Sequence, residues 1–205
     1  MCLCERDCLP PTPLSDHPPS PLTGRVWLVG AGPGDAGLIT VRGCALLERA
    51  DVVVYDRLVG AELLTFTRPD AELIDVFKTP GQHTLPQDQI HDLLIERARA
   101  GKEVVRLKGG DPFVYGRGWE EIEACYLAGV PCEVVPGVSS AIGVPTGAGI
   151  PLTLRGKAST VSLVTPSVGK GLPARELPYA AMAEMDTAVV LMGGALFAAF
   201  DARHQ

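Results

Sequence analysis

Two glycine-rich turns, Gly30-Ala31-Gly32-Pro33-Gly34-Asp35 and Gly109-Gly110-Asp111-Pro112, constrain this chain most. Each closes a short apolar run, Val26-Trp27-Leu28-Val29 in one case and Val104-Val105-Arg106-Leu107 in the other. In each, an aspartate follows the glycines. Glycine lets a backbone take positive φ and come close to a ligand or to another loop. Open α/β sheets bind their ligands just beyond the carboxyl ends of strands. Two such turns therefore predict one cleft assembled from several strand ends.

The intervening pattern agrees with a sheet of that kind. Strands are predicted at 26–29, 51–56, 71–78, 103–107 and 132–135, with helices at 38–50, 87–100 and 120–127 between them. Thr40 is placed to cap the first helix. Ile90, Leu93, Leu94 and Ala98 share one face of the second, which Gly101 ends. Strands alternating with helices imply right-handed crossovers and a mostly parallel sheet. After Val135 the style changes. Residues 139–149 are small and glycine-rich, as in a hinge or a tightly packed helix, and two further strands are predicted at 160–165 and 187–192. Two strands alone rarely make an independent sheet. The expected layout is a proline-rich tail over 1–23, an N-terminal α/β domain over 24–136 and a partial C-terminal α/β domain over 137–205.

Charge and cysteine usage narrow the function. The formal net charge is -6, and no run of Lys or Arg occurs. Nucleic-acid binding needs a basic footprint, so it is not expected. Cys2, Cys4 and Cys8 lie in the tail without a fourth ligand at finger-like spacing. Cys44, Cys125 and Cys132 are isolated within apolar patterns, as reduced thiols of a cytoplasmic protein would be. No metal site and no membrane span are expected, because the longest apolar run, 188–200, is too short to cross a bilayer.

Four side chains follow predicted strands directly: Asp35, Asp56, Lys78 and Asp111. In a parallel sheet these ends share one edge, and carboxylates beside a lysine form a candidate acid/base set. An aspartate after a strand also caps the next turn. For Asp35 both readings stand. For Asp56, followed by Arg57-Leu58-Val59, function is favoured. The first glycine turn is not a dinucleotide loop. Pro33 removes an N–H that a pyrophosphate would use, and the third-glycine spacing is missing. A cofactor without phosphates suits it better, and the sulfonium of S-adenosyl-L-methionine is compatible with a carboxylate-rich cleft.

At these residues the chain resembles the tetrapyrrole methylase family, most of all those members that methylate uroporphyrinogen III. The matching strings are Val29-Gly30-Ala31-Gly32-Pro33-Gly34-Asp35, Ala50-Asp51-Val52-Val53-Val54-Tyr55-Asp56-Arg57-Leu58-Val59, Pro86-Gln87-Asp88-Gln89-Ile90 and Arg106-Leu107-Lys108-Gly109-Gly110-Asp111-Pro112-Phe113. Glu133-Val134-Val135-Pro136-Gly137-Val138-Ser139-Ser140 and Gly149-Ile150-Pro151-Leu152-Thr153 continue the set. The resemblance implies two αβα domains, the second incomplete here, with S-adenosyl-L-methionine between them, and a homodimer. It implies C-methylation of uroporphyrinogen III to precorrin-2, on the route to sirohaem and cobalamin. Carried over by position, Pro33, Gly109, Gly110, Asp111, Val114, Ser139, Ser140 and Met192 would line the cofactor site. Asp56 would accept a proton and Lys78 donate one. The substrate in this family carries many carboxylates, so cations should face it; Arg57, Arg106, Lys108, Arg117 and Arg155 are candidates, with Arg117 preferred for its Gly-Arg-Gly turn.

The chain departs from the family pattern at several places. Leu154 stands where a histidine is usual, Thr165-Pro166-Ser167 where Thr-Gly-His is usual, and Trp119 where a second glycine follows Gly118. Lys78-Thr79-Pro80-Gly81 replaces a Lys-Arg-Ala-Gly turn. Two other readings therefore stay open: a methylase of this fold acting on another substrate, such as a later corrin precursor, and a truncated, inactive chain serving as a binding or dimerisation module.

Overall fold

The structure is a computed structural model and describes residues 24–79, 82–83, 85–166 and 177–193, with backbone alone at 78, 79, 82 and 83. The predicted tail, with Cys2, Cys4 and Cys8, lies outside the described residues. The chain divides into two compact units, 1–138 and 139–205.

The first unit is a five-stranded sheet. Its strands are β1 (Arg25–Gly30), β2 (Val52–Tyr55), β3 (Glu72–Asp75), β6 (Glu103–Lys108) and β7 (Cys132–Val135). They run in the order β3-β2-β6-β1-β7, and every pairing is parallel. The chain places β2 and β3 on one side, returns to insert β6 beside β1, and then adds β7 beyond β1. β6 pairs with both β1 and β2, so three strand ends lie side by side, with Gly30 level with Lys108 and Tyr55 level with Leu107.

Strand alternation sorts the side chains onto two faces. Trp27, Val29, Val53, Val105 and Leu107 pack on one face with Leu46 and Leu47 of α1 (Val41–Leu47). Val26, Leu28, Val52, Val54 and Val104 pack on the other with Ile90, Leu94 and Ala98 of α2 (Gln87–Arg99) and Cys125 of α3 (Gly118–Leu127). The parallel strands are apolar on both faces because helices cover both. Thr40 caps α1 as predicted, its Oγ1 accepting from Gly43 N–H at 3.0 Å. That helix is shorter than expected: a 3₁₀ turn over Ala36–Leu38 precedes it.

The third strand also ends earlier than predicted, at Asp75, since Phe77 N–H turns back to Asp75 Oδ1 at 2.9 Å. Lys78 instead begins a two-residue strand, β4 (Lys78–Thr79), antiparallel to β5 (Gln82–His83). The second unit holds α4 (Ser140–Gly147), α5 (Tyr179–Ala183) and a parallel pair, β8 (Val161–Val164) with β9 (Thr187–Val190). Asp186 ties the starts of those strands, its Oδ2 accepting from the N–H groups of Ser159 at 2.7 Å and Thr160 at 3.0 Å. No helix among the described residues is long and apolar enough to cross a membrane. Cys44, Cys125 and Cys132 are free thiols.

Candidate functional site

The two glycine turns meet. Gly110 N–H donates to Gly32 O at 2.7 Å and Gly32 N–H to Gly110 O at 3.2 Å, a two-bond bridge between the loops after β1 and β6. A third loop, after β7, joins them. A Cβ on Gly137 would lie 2.2 Å from Gly110 O, and one on Gly30 would lie 2.5 Å from Gly137 Cα. Only glycines allow that approach. Asp111 holds the junction, with Oδ2 accepting from Gly137 N–H at 3.0 Å and Oδ1 from Phe113 N–H at 2.8 Å. Its carboxylate thus shapes the loop from within.

Around this junction Pro33, Gly109, Gly110 and Val114 are half-buried, and a Cβ on Gly34 would meet nothing within 4 Å. The turn carrying Asp35 and Gly34 is open on that side. Asp35 takes the capping role of its two readings, its Oδ1 accepting from Gly37 N–H at 2.8 Å.

Asp56 lies just past β2. Its Oδ1 accepts from Leu58 N–H at 3.0 Å, and its Oδ2 lies 3.3 Å from Arg106 Nη2. The side chain keeps 28% of its surface exposed, so it is clamped yet reachable. Alternation explains the pairing: Val54 and Asp56 share a face of β2 and its extension, as Val104, Arg106 and Lys108 share that face of β6.

Arg106 and Lys108, two of the five expected substrate-facing cations, are instead buried and turned inward. Both meet Glu121 of α3, which is fully buried and which the sequence reading did not single out. Arg106 Nε donates to Glu121 Oε1 at 3.1 Å. Lys108 Nζ donates to the same oxygen at 3.0 Å and stands 2.9 Å from Oε2 at an angle unsuited to a second hydrogen bond. Burial, reinforced by Arg106, pulls the Lys108 ammonium below the ordinary lysine range, while Glu121 and Asp56 oppose that shift. The signal for Glu121 was its spacing, with Gly118, Glu121 and Cys125 on the buried face of α3.

Arg117 is exposed and sits in the left-handed region at φ 57, as the residue before α3. Its Nε donates to Glu120 Oε1 at 2.8 Å, and the guanidinium holds the Glu120 carboxyl below its usual range. Arg57 is exposed over the Phe77 ring, 5.0 Å from its centroid. The Lys78 side chain lies outside the described residues. The remaining expected residues belong to the second unit. Ser139 caps α4, its Oγ accepting from Ala141 N–H at 3.3 Å, with Ser140 as first helical residue. Met192 is exposed at φ 55, and Arg155 is exposed. No group of three or more potential metal ligands occurs among the described residues.

Comparison with known proteins gives a consistent result. Residues 25–200 match the family described as Tetrapyrrole (Corrin/Porphyrin) Methylases. The uroporphyrinogen-III C-methyltransferase of Methanocaldococcus jannaschii is 49% identical over 172 residues, 84% of this chain and 71% of that protein. Siroheme synthase 2 of Pectobacterium atrosepticum is 53% identical over 171 residues, 83% of this chain, which spans only 37% of that longer protein. Among solved structures, the uroporphyrin-III C-methyltransferase of Thermus thermophilus complexed with S-adenyl homocysteine superposes with a TM-score of 0.69 at 45% identity, covering 84% of this chain and 67% of that one. A cobalt precorrin-4 methyltransferase superposes with a TM-score of 0.72 at 34% identity, covering 84% and 70%.

Proposed function

The chain belongs to the tetrapyrrole methylase family, and from that premise we propose that it methylates ring carbons of uroporphyrinogen III, yielding precorrin-2, with S-adenosyl-L-methionine as methyl donor. The observation that carries the reading is Asp56, held by Leu58 N–H and Arg106 at the strand ends beside the bridged glycine loops. The residues present fit such a donor. Pro33 offers no N–H to a phosphate, and Lys108 is turned inward onto Glu121. The loops thus lack the cation and the donor run that a dinucleotide pyrophosphate uses. Pro33, Gly109, Gly110, Asp111 and Val114 are assigned to the donor from their place in or beside the bridged loops; Ser139, Ser140 and Met192 are assigned to it by the resemblance alone.

The donor supplies an electrophilic methyl on a cationic sulfur. The protein's own task is to align the attacking pyrrole carbon and to remove a proton from the macrocycle after attack. Alignment alone accounts for a large share of such a rate, since bound geometry replaces a bimolecular encounter. Asp56 is assigned as proton acceptor, because its carboxylate accepts one hydrogen bond on each oxygen, each oxygen has a further lone pair, and the side chain keeps 28% of its surface exposed. Lys78 is assigned as proton donor by the resemblance, from its place in the turn that matches the family's Lys-Arg-Ala-Gly. Arg117, exposed at the start of α3, is assigned to substrate carboxylates, with Arg57, exposed over the Phe77 ring, as a second cation. The proposal further takes the chain as a cytoplasmic homodimer, the first from its reduced-thiol cysteine usage and the second from its family; sedimentation equilibrium giving a monomer would remove the dimer.

The deciding experiment is anaerobic incubation of the chain with S-adenosyl-L-methionine and uroporphyrinogen III, followed by mass spectrometry of the tetrapyrrole. A gain of one or two methyl masses is expected. The likeness to a cobalt precorrin-4 methyltransferase favours a later corrin precursor as second reading. That reading predicts no gain on uroporphyrinogen III and a gain on the corrin precursor.

A further inference from the structure

We propose that Glu121 is a positioning residue for Asp56, acting through Arg106. The proposal rests on Asp56 being the proton acceptor, and it concerns what holds that carboxylate in place. Glu121 belongs to α3, is fully buried, and is met by groups from two other elements. Arg106 and Lys108 reach it from β6, and Gln87 Nε2 at the start of α2 donates to its Oε1 at 3.2 Å. Gln87 also contacts His91 of α2, its Nε2 3.2 Å from the ring Nε2. At the head of α3 itself, Arg117 and Glu120 pair with each other.

Arg106 carries the connection. Its Nε edge is fixed on Glu121 Oε1 at 3.1 Å. Its Nη1 donates to Leu107 O at 3.1 Å and Val54 O at 3.4 Å. A guanidinium is a planar fork with rigidly placed donors. With Nε and Nη1 both anchored, the direction of Nη2 is set, and it points at Asp56 Oδ2 at 3.3 Å. Leu58 N–H holds the opposite oxygen. Glu121 is the only carboxylate among the described residues that touches the Nε edge of this fork, so it sets the plane in which Arg106 approaches Asp56.

Stability by itself does not call for this arrangement. A buried charged set can be replaced by apolar side chains of similar volume with little loss, and sometimes with a gain. A base must point at its proton, however, and misplacing it lowers turnover more than substrate affinity. A brace for Asp56 therefore has a signature distinct from that of a structural ion pair.

The test pairs Glu121→Leu with Lys108→Met, removing one buried charge of each sign so that no ion is left without a partner. The double variant is expected to keep the wild-type Tm to within a few degrees and to keep S-adenosylhomocysteine affinity. Its kcat should fall roughly tenfold to a hundredfold while KM for the tetrapyrrole changes less than about twofold. Glu121→Gln with Lys108→Met keeps an acceptor for Arg106 Nε and should recover most of the lost kcat. A Glu121→Leu/Lys108→Met protein with wild-type kcat would overturn the proposal. So would a crystal structure of that variant with Arg106 Nη2 still on Asp56 Oδ2 in the wild-type orientation. The structural readout does not depend on turnover. A wild-type chain inactive on uroporphyrinogen III would strike the substrate reading, an Asp56→Asn chain that turns over normally would strike the Asp56 assignment, and in either case the crystal structure would still decide the brace.

Discussion

At the residue scale, a few side chains work against neighbours that are far away in sequence. Asp56 pairs with Arg106 across fifty positions, and Asp111 reaches Gly137 across twenty-six. Asp56→Asn keeps the shape of the carboxylate and its Leu58 N–H contact but removes the basic form. Turnover should drop at least about a hundredfold while S-adenosylhomocysteine binding is retained, as read by calorimetry and product mass. Normal turnover in the variant would take Asp56 out of the mechanism. Gly137→Ala tests the loop junction. Its methyl would meet Gly110 O and Gly30 Cα, both backbone atoms with no rotamer to escape into. A loss of about 1–3 kcal/mol in urea unfolding is expected.

At the element scale, the caps and strand starts are where single contacts decide stability. Thr40→Ala deletes the acceptor for Gly43 N–H at the head of α1 and should cost about 1 kcal/mol, with Thr40→Ser restoring most of it. In the second unit, Asp186 joins β8 to β9 through Ser159 and Thr160. The N–H groups of those two residues, joined by the Thr160 hydroxyl, hold its carboxyl below the ordinary aspartate range. A carboxyl depressed in the folded state stabilises the fold above its unfolded pKa of about 3.9, and that contribution fades as pH falls through the lower folded value. Asp186→Asn should therefore be less stable than wild type at pH 7, and the difference should shrink steadily below about pH 4. A gap that stays constant down to pH 2 would assign the effect to shape alone.

At the scale of the whole molecule, the two units differ in how fully they bury their strands. β1 and β6 lie inside a sheet covered on both faces, with Val26, Leu28, Val29, Val104, Val105 and Leu107 all inaccessible to solvent. In the parallel pair of the second unit, the strands keep half-exposed side chains at Val164, Val189 and Val190 and exposed ones at Val161 and Leu163. Amide protection follows burial and cooperative opening. Hydrogen exchange should be slowest at Val26–Val29 and Val104–Leu107 and faster by orders of magnitude at Val161–Val164. Equal protection in both units would show that the second pair is covered in solution.

Much of this was legible in one dimension. Periodicity and punctuation located β1, β2, β6, β7 and α2, because an apolar run bounded by glycine or proline reports local burial directly. Strand β3 ends earlier than its apolar pattern suggests because the chain turns back at Asp75 through a local side-chain contact to Phe77 N–H, which strand periodicity does not weigh. The glycine strings around Gly30 and Gly110 announced a family and loops that meet at the strand ends, since close backbone approach leaves no other residue type possible. Other facts belong only to the fold. Arg106 and Lys108 read in sequence as cations free to face a substrate, and strand alternation on β6 turns them inward. Glu121 reads as an ordinary helix acid, and only the packing of α3 against β6 brings it to Arg106 and, through Arg106, to Asp56. A sequence states which residues are compatible with burial. Which charges are buried together is settled by the register of one strand against one helix, a relation between segments that neither contains alone.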